Sequence, residues 1–546
     1  MSGTPDMRRE LHFGDRVLAC YADRPHSVLE ILQQAVARYP DREALVHDDR
    51  RLTYAQLDRE VAAVAAGLAR LGVGQGDRVA MLLGNGIPFV VVTYAAARLG
   101  AVTVPMSIRD QMPGIRHAIT NSQAKALIVE SEFAPLVPPG AETPDLQARI
   151  VVGPAVDGFS GYDSLSKTDA SAAPAADTAE EEVATILYTS GTTGTPKGAT
   201  LTGLGIVHSS TNFMRTMALG PDDTTIVVVP MNHVTGLVAG IHTMIRAGGC
   251  IVVQREFKAA GFLECAAREG MTYSLMVPAM YNLCLHKANL SDYDLARWRV
   301  GGYGGAPMPA ATIERLAEAL PGLGLMNAYG ATETTSPATI MPAEHTAARR
   351  LSVGRPAPGA EICVMDEAGH EVQPGEKGEI WIRGAMVVPG YWRNPEADAR
   401  EFTAGFWKSG DIGSVDADGF VHVHDRKKDM INRGGHKIYT AMVESTLVAF
   451  PGVVEAAVVA KPCPILGERV HAVVCTGPDG VDEAALSAHC AAQLADYQCP
   501  ESFTIGTAPL PRNANGKILK RQIKSDLGFD EPETERARTM MGKRKR

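Results

Sequence analysis

The run Thr225-Ile226-Val227-Val228-Val229 is followed, after a helical pattern over residues 234–246, by Cys250-Ile251-Val252-Val253. The alternation repeats with a helical pattern at 259–269, the run Thr272-Tyr273-Ser274-Leu275-Met276-Val277, and another helical pattern at 278–287. Strand-like residues at 299–303, a helical pattern at 309–320 and a strand-like run at 323–327 complete it. Short β-rich runs separated by helices predict a parallel sheet covered on both faces. In such sheets the loops at the carboxyl ends of the strands build the ligand site. The chemistry is therefore expected just after Tyr188, Val229, Tyr303 and Asn327.

Upstream, helical patterns at 27–39 and 54–71 alternate with β-rich runs at 44–47, 79–83 and 102–105, which predicts a mixed α/β region. Residues 167–182, rich in Ala, Ser, Asp and Glu, read as an exposed loop ending against an apolar strand at 183–188. From 361 to about 420 short β segments with Gly and Pro turns predict a small barrel-like subdomain. The charged run Asp425-Arg426-Lys427-Lys428-Asp429 marks a domain boundary. Beyond it, a helix near 442–450 and a β-ribbon at 453–460 and 469–475 predict a small α+β domain. The expected organisation is thus a large N-terminal domain, 1–425, and a small C-terminal one, 426–546.

The chain has 546 residues and a formal charge of −9, which excludes a protein whose whole surface grips nucleic acid. The charge is unevenly spread. Residues 425–546 hold 18 Lys+Arg against 15 Asp+Glu, a net of +3, leaving −12 for residues 1–424. The small domain is thus the basic one, which suits polyanionic ligands. The first 25 residues carry scattered charges and no apolar core of a signal peptide. The longest uncharged run, 79–97, is broken by Gly84, Asn85, Gly86 and Pro88 and reads as strand, turn and buried helix rather than a membrane span. Nine dispersed cysteines without a CxxC pair predict free thiols in a reducing cytoplasm, with neither a zinc site nor a disulfide framework. The terminal Lys543-Arg544-Lys545-Arg546 reads as a solvated end.

Four local patterns carry chemistry. Tyr188-Thr189-Ser190-Gly191-Thr192-Thr193-Gly194-Thr195-Pro196-Lys197-Gly198 packs glycines, hydroxyls and one lysine directly after a buried strand. Glycines let the backbone approach a phosphate, while hydroxyls and an ammonium add donors. The spacing is not that of a Walker loop. Asn327-Ala328-Tyr329-Gly330-Ala331-Thr332-Glu333-Thr334 offers an aromatic for a nucleobase, a hydroxyl for a phosphate and a hard oxygen for Mg²⁺. Gly301-Gly302-Tyr303-Gly304-Gly305-Ala306 reads as a bare backbone wall for a flat ligand. Asp411, in Ser409-Gly410-Asp411, could accept from both hydroxyls of a ribose, or simply cap a turn. Arg426 and Lys428 alone would read as a solvated face, and Lys517, in Asn515-Gly516-Lys517, as a surface lysine.

The order of these patterns along the chain resembles that of the adenylate-forming superfamily of acyl- and aryl-CoA synthetases, luciferases and amino-acid adenylation domains. The hydroxyl-rich loop, Tyr-Gly-x-Thr-Glu, Ser-Gly-Asp, Asp-Arg-x-Lys-Asp and Asn-Gly-Lys occur in the family's order, and the resemblance spans roughly residues 27–520. It implies an enzyme that uses ATP and Mg²⁺ to turn a carboxylic acid into an acyl-adenylate, after which coenzyme A displaces AMP. Thr189 to Lys197 would close over the phosphates, including Ser190, Gly191, Thr192, Thr193 and Gly194. Gly304, Gly305 and Ala306 would line the adenine, with Tyr329 stacking on it, and Asn327 and Gly330 would also belong to the cofactor-binding residues. Thr332 would touch the α-phosphate and Glu333 would hold Mg²⁺. Asp411 and Arg426 would take the ribose hydroxyls, and Lys517 would reach between carboxylate and α-phosphate. Lys428 would be the hinge of a swinging C-terminal domain that exchanges Lys517 for the loop Gly434-Gly435-His436-Lys437 at the coenzyme A arm. His233 would stand beside the substrate carboxylate.

Amino-acid-activating relatives place an aspartate near His233. None occurs between Val227 and Ile245, which argues against an α-amino acid. Gly304, Gly330, Ala331 and Val234 suit an uncharged acid tail, acyl or aryl. Two departures from the family pattern stand out: Leu201-Thr202-Gly203 where many relatives have a histidine third, and Thr440-Ala441-Met442 in place of a common Pro-x-Glu, with Glu444 retained. Two other readings share the motifs: an acyl-AMP ligase loading a carrier-protein phosphopantetheine, and a nucleotide-binding regulator on the same fold. A nucleic-acid partner and a membrane span are not expected, and a homodimer is left open.

Overall fold

The computed structural model describes residues 6–189, 196–512 and 518–529. Ser190, Gly191, Thr192, Thr193, Gly194, Lys517 and the terminal Lys543–Arg546 run lie outside the described residues.

Two large sheets and a separate two-stranded hairpin belong to the large unit. Its strands, in chain order, are β1 (Met7–His12), β2 (Arg16–Tyr21), β3 (Glu43–His47), β4 (Arg50–Thr53), β5 (Arg78–Leu82), β6 (Val102–Pro105), β7 (Ala126–Glu130), β8 (Ala148–Val152) and β9 (Ser160–Gly161). They continue with β10 (Val183–Thr189), β11 (Lys197–Thr202), β12 (Thr224–Val227), β13 (Cys250–Val253), β14 (Tyr273–Met276), β15 (Val300–Tyr303), β16 (Gly324–Tyr329), β17 (Thr339–Ile340) and β18 (Arg355–Pro356). One sheet runs β11-β10-β6-β5-β7-β8-β9 and the other β18-β17-β16-β15-β14-β12-β13-β3-β4. From β16 through β13 to β3 every pairing is parallel, as the strand–helix alternation predicts. The uncharged run at 79–97 resolves into β5 and the buried helix Ile87–Arg98, and no described helix is long and apolar enough to cross a membrane.

One helix differs from expectation. Residues 234–246 do not wind uniformly: Thr235–His242 is π-wound and only Thr243–Ala247 is α-helical. Two glycines let this segment sit hard against its surroundings. A Cβ on Gly236 would lie 2.3 Å from the Pro230 carbonyl oxygen, and one on Gly240 would lie 3.0 Å from Val227. Thr243 Oγ1 donates 2.8 Å to the carbonyl five residues back, on Val238, so the wide winding is reinforced by a side chain. Such π segments mark functional sites more often than chance.

The hairpin β1–β2 is not visible in the charge pattern of the first 25 residues. It is fastened by Arg24, whose side chain is 1% exposed and uses all five of its N–H donors. They reach both Glu10 oxygens (2.9 and 2.6 Å), both Glu180 oxygens (2.7 Å each) and the Tyr21 carbonyl (2.6 Å). Glu180, expected on an exposed loop, is therefore held in a buried ion-pair cluster. Glu10, His12 and Cys20 bring ligand atoms within 4.8 Å of one another. Arg24 and Arg8 already supply the positive charge at Glu10, so a cation there would have to displace them. The Arg24 hydrogen bonds hold the Glu10 carboxyl well below its ordinary 4.5, against the opposing effect of burial. Because this folded-state value is depressed, the pairing stabilises fully above about pH 4.5 and is lost as pH falls further. Arg24→Met is expected to cost about 3 kcal/mol at pH 7, because it leaves two carboxylates without their shared cation. Urea midpoints taken from pH 7 down to pH 3 should show that cost shrinking with acidity.

After β18 come the short strands Glu361–Met365, Gly378–Arg383, Phe402–Thr403, Phe406–Val415 and Val421–Arg426, in the region expected to be β-rich. The chain divides into two compact units, the smaller comprising Val364–Ile380, Gly410–Val415 and everything from His422 on. That small unit pairs Val453–Cys463 with Gly467–Thr476 as a long antiparallel ribbon, extended in parallel by Ser502–Gly506. The helices Thr440–Val448 and Glu483–Gln493 contribute Val443, Leu447, Leu486 and Cys490 to its core. All nine cysteines are free thiols.

Candidate active site

Parallel register puts the ends of β14, β15 and β16 on one edge, with Met276 beside Tyr303 and Tyr303 beside Asn327. His233 follows β12, Gly304–Ala306 follow β15, and Gly330–Glu333 follow β16, so these predicted residues fall on the expected edge. Gly304 runs so close to β16 that a Cβ would lie 2.4 Å from the Ala328 carbonyl oxygen, whereas Gly305 and Ala306 are exposed. Only a bare backbone fits at Gly304. Strand β16 extends two residues beyond the predicted limit of Asn327, so Tyr329 is its half-buried last residue rather than part of the loop. Asn327 is 7% exposed and its side chain hydrogen-bonds Tyr303, which gives it a packing role.

His233 is half-buried at the entrance to the π-wound segment, its Nδ1 3.2 Å from Thr235 Oγ1. Burial pushes the imidazole down to about 4, so it is neutral at pH 7. Thr332, Glu333 and Thr334 form one 3₁₀ turn, pinned by Thr334 Oγ1, which accepts from the Ala331 N–H at 2.9 Å. Glu333 is 8% exposed, and burial raises its pKa against the lowering pull of Tyr391 and Lys197.

At the other sheet, β10 and β11 are antiparallel with Thr189 opposite Lys197, which brings the two ends of the glycine-rich segment side by side. Thr202, at the first departure from the family pattern, caps the helix Gly203–Thr216 by accepting from Gly205 N–H at 3.1 Å. Lys197 does not point into solvent. Its ammonium is 2.5 Å from Glu401 Oε2 and lies 4.2 Å from the centre of the Tyr391 ring. The Tyr391 hydroxyl is 2.6 Å from Glu401 Oε2 and 2.9 Å from Glu333 Oε1. The predicted phosphate lysine and the predicted metal-binding carboxylate, distant in sequence, thus meet through two residues that the motifs did not include.

In the small unit, Asp411 and Arg426 are brought together as an ion pair at 2.7 Å, with Asp411 5% exposed. Asp411 lies inside the strand Phe406–Val415 rather than in a turn. Lys428 is exposed in the turn that follows Arg426. Gly434 and Gly435, at φ +57° and +92°, make the two-residue turn between Ile431–Arg433 and His436–Ile438, a left-handed conformation that favours glycine, or Asn and Asp at the first place. Lys437 is exposed and ion-paired to Glu367 at 2.7 Å. Thr440, at the second departure, donates its N–H and its hydroxyl to Asp425 and accepts from Lys520 Nζ at 2.7 Å. Lys520 also pairs with Glu444 at 2.6 Å.

Residues 32–392 match the model of the AMP-binding enzyme family, and residues 442–517 match the AMP-binding enzyme C-terminal domain. A feruloyl-CoA synthase of Amycolatopsis sp is 35% identical over 491 residues, covering 90% of this chain and 96% of that protein. The solved anthranilate CoA ligase AuaEII in complex with anthranoyl-AMP superposes with a TM-score of 0.86 at 26% identity, covering 93% and 98% of the two chains. A solved o-succinylbenzoate coenzyme A synthetase from Bacillus subtilis, in complex with ATP and magnesium ion, gives 0.80 at 29% identity over 90% and 99%. The chain belongs to the AMP-binding enzyme family.

Proposed function

We infer that the protein is an ATP-dependent carboxylic acid–CoA ligase. The substrate carboxylate attacks the α-phosphorus of ATP, releasing pyrophosphate and leaving an acyl-adenylate; the thiol of coenzyme A then attacks the acyl carbon and expels AMP. The observation that carries this reading is the meeting of Lys197 and Glu333 through Tyr391 and Glu401 in a family-matched fold.

The chemistry asks the chain to position reactants and to balance the charge that develops at phosphorus and carbonyl. Mg²⁺, when bound, would draw charge from the phosphate oxygens. Glu333 suits such an ion, since it offers hard carboxylate oxygen and Mg²⁺ commonly takes only one or two protein carboxylates beside the nucleotide phosphates. Lys197 and the hydroxyls of Thr189 and Thr332 would bind phosphate oxygens. Gly304 and Tyr329 would hold the adenine between backbone and ring, and Asp411 with Arg426 would take the ribose. His233, neutral at pH 7 by virtue of its burial, would meet the acid as a hydrogen-bonding group without fixed charge. We assign the adenylation body to 1–425, the moving part to 426–546 and the hinge to Lys428, with Lys517 and the 434–437 turn serving successive half-reactions. A cytoplasmic location is supported by nine free thiols, which a reducing compartment preserves.

The acid is assigned to the apolar acyl or aryl class, on the absence of an acidic partner for an ammonium in residues 227–245 and on the aryl acids named in two of the relatives. A pyrophosphate-release screen across fatty, aryl, dicarboxylic and α-amino acids tests it. Release is expected with fatty or aryl monocarboxylic acids and free coenzyme A as acceptor. Release confined to α-amino acids, or to reactions supplied with a holo-carrier protein, would overturn the assignment.

A further inference from the structure

The segment from Val388 to Glu401 is fastened to both halves of the nucleotide machinery. Val388 N–H donates to the Glu333 carbonyl at 2.9 Å. The Thr200 N–H and hydroxyl both donate to the Gly390 carbonyl, at 3.2 and 2.6 Å. Trp392 N–H donates to the Gly198 carbonyl at 2.7 Å, and its indole N–H to the Asn121 carbonyl at 3.2 Å. Tyr391 is thereby set opposite Ala199, between the strand that carries Lys197 and the turn that carries Glu333. The helix Pro395–Glu401, capped by Asn394, then returns Glu401 to the same place.

What this segment delivers is a counter-ion and a hydroxyl. Lys197 and Glu401 have side chains only 8% and 19% exposed, and Tyr391 and Glu333 are 3% and 8% exposed. Packing explains the Tyr391 ring, which meets Phe402 edge-on at 5.6 Å, but not its hydroxyl. A phenol has one proton to give, and here two carboxylate oxygens stand within 2.9 Å of it. Glu401 holds the Lys197 ammonium on one oxygen and pairs with Arg400 at 2.8 Å on the other, while Glu333 faces the Tyr391 hydroxyl. A neutral residue at 401 would leave the Lys197 ammonium buried without its anion, and a phenylalanine at 391 would remove the hydroxyl that stands between the Glu333 and Glu401 carboxylates.

We propose that Tyr391 and Glu401 are positioning residues of the adenylation step. Tyr391 orients the Glu333 carboxylate for the divalent cation that accompanies the nucleotide, and Glu401 holds the Lys197 ammonium over the Tyr391 ring until phosphate oxygens replace it. Glu401 lies beyond the residues that match the large-domain family model, which end at 392. The proposal rests on the roles given above to Lys197 and Glu333.

Tyr391→Phe keeps the ring and removes only the hydroxyl. The variant should need about 10-fold more Mg²⁺ for half-maximal ATP–pyrophosphate exchange, the scale seen when an outer-shell partner of a metal ligand is lost. Calorimetric titration with ATP at fixed Mg²⁺ should show the same weakening without turnover. Thioester formation from supplied acyl-adenylate should stay near the wild-type rate. Glu401→Gln should lower kcat for adenylation about 10-fold, with Glu401→Asp, which keeps the charge, recovering most of it. The proposal is overturned if Tyr391→Phe matches wild type in Mg²⁺ requirement and ATP binding, if both half-reactions fall equally, or if Glu401→Asp is no better than Glu401→Gln. A wild-type protein that exchanges pyrophosphate with no acid would instead sink the underlying functional reading.

Discussion

Lys517→Ala is expected to abolish adenylate formation while leaving thioester formation from supplied acyl-adenylate largely intact. An ammonium is a compact point charge, and in the proposed arrangement it stands where carboxylate and α-phosphate are both anionic. Removing a charge aimed at the reacting centre costs roughly 10²–10³-fold or more in rate. Once the adenylate exists the small domain is proposed to have swung and withdrawn this side chain, so the second step should not register its loss. The two half-reactions, assayed separately by ATP–pyrophosphate exchange and by coenzyme A consumption, give the comparison. Equal loss in both would mean that Lys517 holds the fold or serves both steps, and the swing assignment would fail.

Glu333→Gln should produce a similar asymmetry for a different reason. The amide keeps the size of the side chain and can still accept from Tyr391, whose hydroxyl lies 2.9 Å from Oε1. What is lost is the anionic oxygen that would hold Mg²⁺. Adenylation is expected to fall roughly 10²–10³-fold, the size of a lost electrostatic contact in a water-poor site. The thioester-forming step should be spared, and melting temperature should change little or rise, because a buried carboxylate is replaced by a neutral group. An unchanged exchange rate would remove Glu333 from the metal site.

The strand–helix alternation was legible because each buried strand of the parallel sheet is a short apolar run between helices of ordinary length. The winding of residues 234–246 was not legible, since helical periodicity does not separate α from π. The cue lay in Gly236 and Gly240, whose importance comes from the close approach of Pro230 and of Val227 at the end of β12. Lys197, Thr332 and Glu333 stood out because each sits in a pattern rich in groups that bind phosphate or metal. Tyr391 and Glu401 did not. Gly390-Tyr391-Trp392 reads as an aromatic turn, and Arg400-Glu401 as an ordinary charged pair at a helix end. Their meaning arises only when backbone pairing lays Tyr391 against Ala199. Asp411 and Arg426 were each ambiguous alone, and their contact at 2.7 Å defines a shared location that no spacing rule supplies.

Thr440 connects the second departure from the family pattern to motion. A proline at that position has neither an N–H nor a hydroxyl to give, whereas Thr440 gives both to Asp425, a buried carboxylate three residues before the proposed hinge at Lys428. Lys520, which begins the helix after the 513–517 segment, reaches the same threonine hydroxyl. All three belong to the smaller compact unit, with Asp425 before the proposed hinge at Lys428 and Thr440 and Lys520 after it, so a rotation at that residue would strain or break their contact. If that rotation occurs, these bonds would contribute a difference in free energy between two conformations rather than a uniform contribution to stability. On the proposed hinge, Thr440 would weight the balance between the two conformations in a way that a proline, with neither N–H nor hydroxyl to give, could not.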